Sequence, residues 1–173
     1  MPIDNVFTFK RIPSEDAALY KELRVEGRDE SPEAFGASYC DEVNIPLSHY
    51  SKLLTNNVVY GAYSNKSSLV GIVGLRIPNK EKLKHKARLW GMYIKPEARG
   101  NGLAKQILLQ IIEIAKETTE EILLAVVVSN VSAITLYEKL GFIEYGREPR
   151  ALKFKDHYYD EVLMRLPLTP KTI

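Results

Sequence analysis

The stretch Tyr93-Ile94-Lys95-Pro96-Glu97-Ala98-Arg99-Gly100-Asn101-Gly102-Leu103-Ala104 decides the fold of this chain. An apolar run over residues 89–94 leads into it, and Pro96 ends that strand because proline cannot donate to a sheet ladder. Two glycines flank Asn101, and a helical pattern begins at Leu103. The stretch therefore predicts a strand, a tight loop and the N-terminus of a helix.

The predicted loop has the properties of an anion site. The first turn of a helix carries unpaired N–H groups and a partial positive charge. Gly100 and Gly102 lack the side chains that would keep a phosphate away from the backbone. Lys105 stands where a dinucleotide fingerprint needs its third glycine, and no Gly-Lys-Ser/Thr completes a Walker loop. A nucleotide-binding P-loop or Rossmann protein is therefore a disfavoured rival.

Two motifs in a fixed order indicate a family. Arg99, Gly102 and Ala104 fit the pattern Arg/Gln-x-x-Gly-x-Gly/Ala, and residues 130–142 fit N-x-x-A-x-x-x-Y-x-x-x-G-F. With the closing segment YYDEVLMRLPL, the chain resembles the GNAT superfamily of N-acetyltransferases over roughly residues 58–168. The resemblance implies an acyltransferase that uses acetyl-CoA as its cosubstrate.

The resemblance also implies roles for particular residues. Backbone amides of the central strand would contact the oxyanion and the pantetheine arm, and the loop amides would hold the CoA pyrophosphate. Tyr137 would protonate the departing CoA sulfur, and Asn130 would contact the cofactor. On spacing alone, a core position is favoured for Tyr137, and Asn130 is equally a helix N-cap. The full predicted cofactor site is Met92, Tyr93, Ile94, Arg99, Gly100, Asn101, Gly102, Leu103, Ala104, Lys105, Asn130 and Tyr137.

The chemistry implied by the resemblance asks for few side chains. An amine attacks the thioester directly, so no covalent enzyme intermediate is required. The developing oxyanion needs an N–H donor, and the departing thiolate gains from a proton. The missing G-x-S-x-G elbow weighs against a hydrolase and not against acetyl transfer.

The general base and the acceptor stay open at this point. We expect a primary amine, either a small metabolite or drug-like amine or, second, a peptide or protein N-terminus. A catalytically silent acyl-CoA-binding sensor of the same fold is the alternative, which Tyr137 disfavours. The candidate bases are acids in the segment that borders the acceptor site in this superfamily, together with two other residues: Glu26, Asp29, Glu30, Glu33, Glu144 and Tyr93.

Composition limits the other possibilities. The chain has 173 residues, 45% of them hydrophobic, and a net charge of +2, which offers no bulk attraction for nucleic acid. The single cysteine, Cys40, excludes an intrachain disulfide, and three scattered histidines indicate no metal site. No signal peptide and no apolar run of ~20 residues is present. We therefore expect a cytoplasmic protein without metal, membrane or nucleic-acid partners, and a homodimer is left open.

The pattern predicts one domain over residues 1–173, with a cofactor-binding core at about 58–168. We expect a mixed α/β (α+β) GNAT-like fold, with a mostly antiparallel central sheet of six to seven strands flanked by about four helices. One parallel crossover surrounds the helix that begins at Leu103. Residues 29–45 are expected to be irregular or weakly helical. Strands are predicted over residues 6–12, 58–63, 69–77, 88–94, 122–128, 142–146 and 158–166, and helices from near residues 14, 46, 103 and 131.

Overall fold

The computed structural model describes residues 7–169. Within them the chain forms seven strands and five α-helices, joined by short 3-10 turns at Ser14–Asp16, Pro32–Ala34 and Pro96–Ala98. The strands are β1 (Thr8–Arg11), β2 (Val58–Tyr63), β3 (Leu69–Arg76), β4 (Lys86–Ile94), β5 (Glu121–Val127), β6 (Ile143–Phe154) and β7 (His157–Pro167). The helices are α1 (Ala17–Glu30), α2 (Tyr39–Val43), α3 (Leu47–Asn56), α4 (Leu103–Ala115) and α5 (Val131–Lys139).

All seven strands belong to one sheet in the order β1-β2-β3-β4-β5-β7-β6. β4 and β5 are parallel, with α4 in the connection between them, and every other neighbouring pair is antiparallel. This confirms the expected mixed sheet with one parallel crossover. The fifth helix is α2, which forms inside the segment that was expected to be irregular or weakly helical.

A hydrophobic core covers each face of the sheet. On one face α4 buries Ile107, Leu108 and Ile111 completely, as its apolar stripe predicts. On the other face α1 and α3 bury Tyr20 and Tyr50 against β2, β3 and β4. Burying each large aliphatic side chain contributes about 1.5–3 kcal/mol, so both helical layers are fixed firmly on the sheet.

A buried ion cluster joins the three N-terminal helices. The Glu42 carboxylate on α2 accepts hydrogen bonds from Arg24 and from the Tyr50 hydroxyl at 2.6 Å, and it lies 2.9 Å from Arg28 Nε. Burial raises the pKa of Glu42, but the bonds from Arg24 and Tyr50 outweigh it and lower the pKa to about 2. The cluster therefore fixes α2 and α3 against α1.

The predicted end of β6 was wrong. The strand was expected to stop at Gly146 but continues to Phe154 through a bulge between Glu148 and Leu152. In the bulge Arg150 has φ +53°, and its N–H donates to the Asp160 carboxylate at 2.8 Å. Pro149 lies within this bulge, a position where an edge strand tolerates proline.

The N-terminal elements also differ in detail from the prediction. The first strand is Thr8–Arg11, and Val6 lies outside the described residues. Ser14 does not cap α1, because a 3-10 turn precedes the helix and α1 begins at Ala17. No helix within residues 7–169 is long and apolar enough to cross a membrane.

Candidate active site

A cleft opens in the middle of the sheet. Residues 86–88 of β4 pair with residues 121–123 of β5, and beyond that point the two strands are not paired. β3 stays paired with β4 and β7 with β5, so each half of the sheet remains intact. A cavity of about 430 Å³ lies between residues 89–94 and 124–127. The cleft is therefore the space between two half-sheets joined at one end.

A glycine bulge shapes the β4 side of the cleft. Gly74 pairs with Trp90 and Ile72 with Tyr93, so Gly91 and Met92 together oppose one residue of β3. Gly91 has φ +61°, which a residue with a Cβ rarely adopts. The bulge bends the strand and turns its backbone groups out of the ladder. The strand positions predicted to contact the cofactor, residues 92–94, all line the cleft.

The loop before α4 exposes its backbone. Gly100 and Gly102 have φ +79° and +70°, and a Cβ at either position would have no atom within 4 Å. Gly102 occupies the N-cap of α4, and no side chain caps the helix. The amides of the first turn are thus open to a bound anion. These residues fit the pyrophosphate of acetyl-CoA.

Side chains around the loop fix its shape. The Asn101 amide donates to the carbonyls of Ala98 and Arg99, and Arg99 Nε donates to the Ile94 carbonyl at 2.9 Å. The side chain of Leu103 is in the core, which leaves its backbone as the group able to face a ligand. Among the other predicted loop residues, Ala104 lines the cleft and Lys105 is exposed.

Tyr137 forms part of the cleft wall formed by α5. Its hydroxyl donates to Met92 Sδ at 3.6 Å, and its ring meets Phe142 edge-on with centroids 5.6 Å apart. Burial raises the pKa of Tyr137 to about 12, so the phenol keeps its proton at neutral pH. Asn130 also lines the cleft, and it caps α5 by accepting from the Ala133 N–H at 3.3 Å. Both residues therefore have a structural role and also line the cleft.

Three candidate bases form one network beside the loop. The Tyr93 hydroxyl donates to Glu26 at 3.2 Å and to Glu30 at 2.5 Å, while Lys95 pairs with Glu26. Burial and the hydrogen bond to Glu30 raise the pKa of Tyr93, which makes the phenol a poor base. Burial raises the pKa of Glu30, but two bonds from Arg99, both 2.9 Å long, and one from Tyr93 outweigh it and lower that pKa. These groups hold the loop against the end of α1.

The remaining candidate bases lie elsewhere. Glu144 pairs with Arg147 at 2.8 Å on the exposed edge strand, and that bond lowers the pKa of Glu144. Asp29 is exposed and Glu33 half-buried, and neither lines the cleft.

Sequence reasoning missed a pair of carboxylates near the cleft. Glu148 and Glu161 lie directly opposite each other on β6 and β7. Glu161 is also in register with Val127, which lines the cleft. Burial and the charge of Glu148 raise the pKa of Glu161, although Arg88 partly offsets this. No local pattern distinguishes these residues, because their proximity depends on the register of β6.

Comparisons with known proteins agree with this fold. A sequence model described as the Acetyltransferase (GNAT) family matches residues 18–142, so the chain belongs to this family of acyltransferases, as the two motifs indicated. N-alpha-acetyltransferase 30 of Saccharomyces cerevisiae is 28% identical over 120 residues, which span 66% of this chain and 66% of that protein.

Two solved structures share the fold at low sequence identity. An acetyltransferase of the GNAT family from Streptococcus pneumoniae superposes with a TM-score of 0.81 at 22% identity, covering 95% of this chain and 100% of its own. The yncA structure from Salmonella typhimurium, with its cofactor acetyl-CoA, gives a TM-score of 0.81 at 17% identity, with 97% of each chain covered. These likenesses establish the GNAT fold for this chain.

Proposed function

We propose that this protein transfers the acetyl group of acetyl-CoA to a primary amine by direct attack, with both substrates bound together. The observation that carries the proposal is the cleft between β4 and β5. The glycine loop, the Gly91 bulge and Tyr137 all border that cleft or its mouth. A backbone-lined site of this kind suits a cofactor with a pyrophosphate and an amide-containing arm.

The cofactor supplies an acetyl group already activated as a thioester, so the step needs no metal ion. The amides of the loop and of the first turn of α4 hold the pyrophosphate, and the backbone of residues 92–94 contacts the pantetheine arm and the carbonyl oxygen. An N–H aimed at the charge that develops on that oxygen stabilises the transition state. The acetyl-CoA in the Salmonella relative supports this choice of cosubstrate.

Tyr137 is proposed as the proton donor to the departing sulfur. Its raised pKa keeps the proton on the phenol throughout the neutral range. The hydroxyl faces Met92 Sδ, and a thioether is a weak acceptor, so the proton is available for a stronger one. The amine nitrogen forms the new bond to the carbonyl carbon, the carbon–sulfur bond breaks, and the thiolate takes the proton of Tyr137. The proton that the nitrogen releases as the amide forms returns through solvent to the Tyr137 phenolate.

The acceptor is proposed to be a small amine or, second, a peptide N-terminus. The name of the yeast relative supports the peptide acceptor. Glu161 does not itself line the cleft, but it lies opposite Val127 of the cleft wall, and it is proposed as the carboxylate that takes the ammonium proton. Its pKa is raised toward neutrality, whereas ion pairs lower the pKa of Glu30 and Glu144.

We also propose that residues 1–173 form one domain in the cytoplasm and act without nucleic acid. The match over residues 18–142 and the single sheet support one domain. The exposed, unpaired Cys40 thiol suits a reducing compartment. A homodimer is a further proposal, which light scattering of the purified protein tests.

A screen of acetyl-CoA consumption over amines and short peptides tests the function. The expected result is acceptor-dependent release of CoA, with an acetylated amine detected by mass spectrometry. Binding of acetyl-CoA without turnover on any acceptor would favour the silent sensor instead. A thermal-shift comparison of acetyl-CoA, ATP and NAD identifies the bound cofactor class independently of turnover.

A further inference from the structure

A second cavity of about 580 Å³ adjoins the cleft. It lies between the C-terminal end of α3 and the turn that follows β3. Trp90 lines both cavities, so the second cavity shares a wall with the cleft. The neighbouring polar residues include Asn56 and Asn57.

Two arginines face each other in this cavity. Arg76 on β3 and Arg88 on β4 are directly opposite partners in the ladder, and both are exposed. Like charges at such a position destabilise a sheet. Neither arginine forms an ion pair with a carboxylate of the described chain, although Arg88 is near enough to Glu161 to lower its pKa. Two guanidinium groups side by side suit a carboxylate, which accepts two parallel hydrogen bonds.

The indole ring of Trp90 forms the wall that the two cavities share. Gly74 leaves room for the ring, because a Cβ there would come within 2.3 Å of it. The indole Nε1 is buried and has no hydrogen-bond partner within residues 7–169.

The distance along β4 between Arg88 and Gly91 sets the length of the ligand. Arg88 precedes Gly91 by three residues, which corresponds to about 10 Å along a strand. The reacting amine belongs near the Gly91 bulge if the proposed function is correct. An extended tripeptide separates its N-terminal amine from its C-terminal carboxylate by about the same distance.

We propose that the cavity lined by Arg76, Arg88 and Trp90 is a subsite for a carboxylate at the far end of the acceptor. The acceptor is then a primary amine that carries a carboxylate about a tripeptide's length away. This inference rests on the proposed function. The carboxylate has two possible sources, the free C-terminus of a short peptide and an acidic side chain of a longer one.

The chain contains one tryptophan, so the indole N–H resonance of Trp90 reports from the cavity without any turnover. The probes are triglycine and triglycine amide, added to the full chain in the presence and absence of CoA. Triglycine is expected to shift the resonance and to saturate at a concentration at least about tenfold lower than its amide does. Equal responses to the two probes, or none to either, would overturn the subsite.

Matched variants locate the binding to the arginines. Arg76→Gln and Arg88→Gln are each expected to weaken triglycine binding by about 10-fold or more, because a charge-assisted pair is lost. Lys116→Gln removes one positive charge at the end of α4, on the opposite face, and should leave the titration unchanged. Thermal melting checks that each variant folds. If both arginine variants bind triglycine as the wild type does, the carboxylate is bound elsewhere.

Turnover separates this inference from the proposed function. With acetyl-CoA, kcat/KM should be about tenfold higher or more for triglycine than for its amide. A preference of Gly-Gly-Glu amide over Gly-Gly-Gly amide identifies an acidic side chain as the source of the carboxylate. Acetylation without any preference between acid and amide defeats the subsite alone. If the Trp90 resonance responds to triglycine in preference to its amide but no amine is acetylated, the proposed function is wrong and the carboxylate subsite still stands.

Discussion

The two halves of the proposed active site present different kinds of binding group. The cofactor half, residues 91–105 with α5, presents open amides held by glycines at φ +61°, +79° and +70°. The half that adjoins it on the α1 and α3 side presents charged side chains from separate segments, such as Arg76, Arg88 and Glu161. Backbone recognition requires a few residue types at fixed spacing, whereas side-chain recognition requires positions that meet only after folding. The cofactor could therefore be predicted from the chain, and the acceptor could not.

Removal of the Tyr137 hydroxyl is expected to cause the largest loss of turnover among changes to the cofactor half. Tyr137→Phe should lower turnover by ~10²–10⁴-fold, the range for a positioned acid. Acetyl-CoA affinity should change much less, because the bond to sulfur strengthens as charge develops. The pKa of about 12 also predicts that wild-type turnover is not lost through Tyr137 ionisation between pH 6 and 10.

Steady-state kinetics and calorimetry on folded Tyr137→Phe measure these effects. Tyr145→Phe is the control, since Tyr145 is exposed on the edge strand β6. Wild-type turnover of Tyr137→Phe, with chemistry rate-limiting, would return this residue to a packing role.

Loss of the buried Glu42 carboxylate should lower the stability of the half built on α1 to α3. Glu42→Gln leaves Arg24 and Arg28 with less compensation, and we expect a loss of about 3–5 kcal/mol in the free energy of unfolding. The folded pKa of about 2 lies below the ordinary 4.5, so this stabilisation is present above pH 4.5 and disappears as the pH falls toward 2.

Urea unfolding of wild type and Glu42→Gln at pH 7 and pH 3 tests this dependence. The difference in the free energy of unfolding between the two proteins should be smaller at pH 3 than at pH 7. Glu22→Gln, an exposed site on α1, serves as the control and should stay within about 0.5 kcal/mol of wild type. A Glu42→Gln protein as stable as wild type at pH 7 would show that the ion cluster does not hold this half together.

The glycine loop provides a test of backbone recognition itself. Gly102→Val should raise the dissociation constant of acetyl-CoA by about 10–100-fold, because its branched Cβ disfavours φ +70° and would stand where an anion approaches the amides. Gly141→Val places the same side chain at φ +96° after α5, where it strains the backbone away from the loop. Calorimetry on both variants separates the two effects. Equal losses of affinity would mean that general strain, and not the loop, is responsible.

The smallest effect is expected for replacing Glu30, the carboxylate at the end of α1 that pairs with Arg99. Glu30→Gln weakens a partly exposed pair with Arg99, which is worth at most about 1 kcal/mol, so acetyl-CoA affinity should change less than about fivefold. Turnover should also fall less than in Glu161→Gln, because the pKa of Glu30 is lowered and that of Glu161 raised. Kinetics of the two variants on one acceptor give the ranking. A deeper loss in Glu30→Gln would make Glu30 the base.

The features that could be predicted from the sequence are local, and those that could not depend on contacts between distant residues. The two motifs predicted the loop, the central strand and the position of Tyr137 because each motif is local. The buried contact of Arg24 with Glu42 joins residues 18 positions apart and depends on how α2 packs. The continuation of β6 past Pro149 depends on pairing with β7, which no neighbouring residue indicates.

The short seam between β4 and β5 has a mechanical consequence. Three residue pairs join a four-stranded half-sheet to a three-stranded one, while β5 and β7 are paired along seven residues. The β4–β5 seam has fewer paired residues than the β5–β7 pairing beside it, so we expect the two half-sheets to hinge about it. The cleft proposed to bind the cofactor opens from this seam, so an occupied cleft should slow amide exchange at residues 121–123 by restraining the two half-sheets from opening.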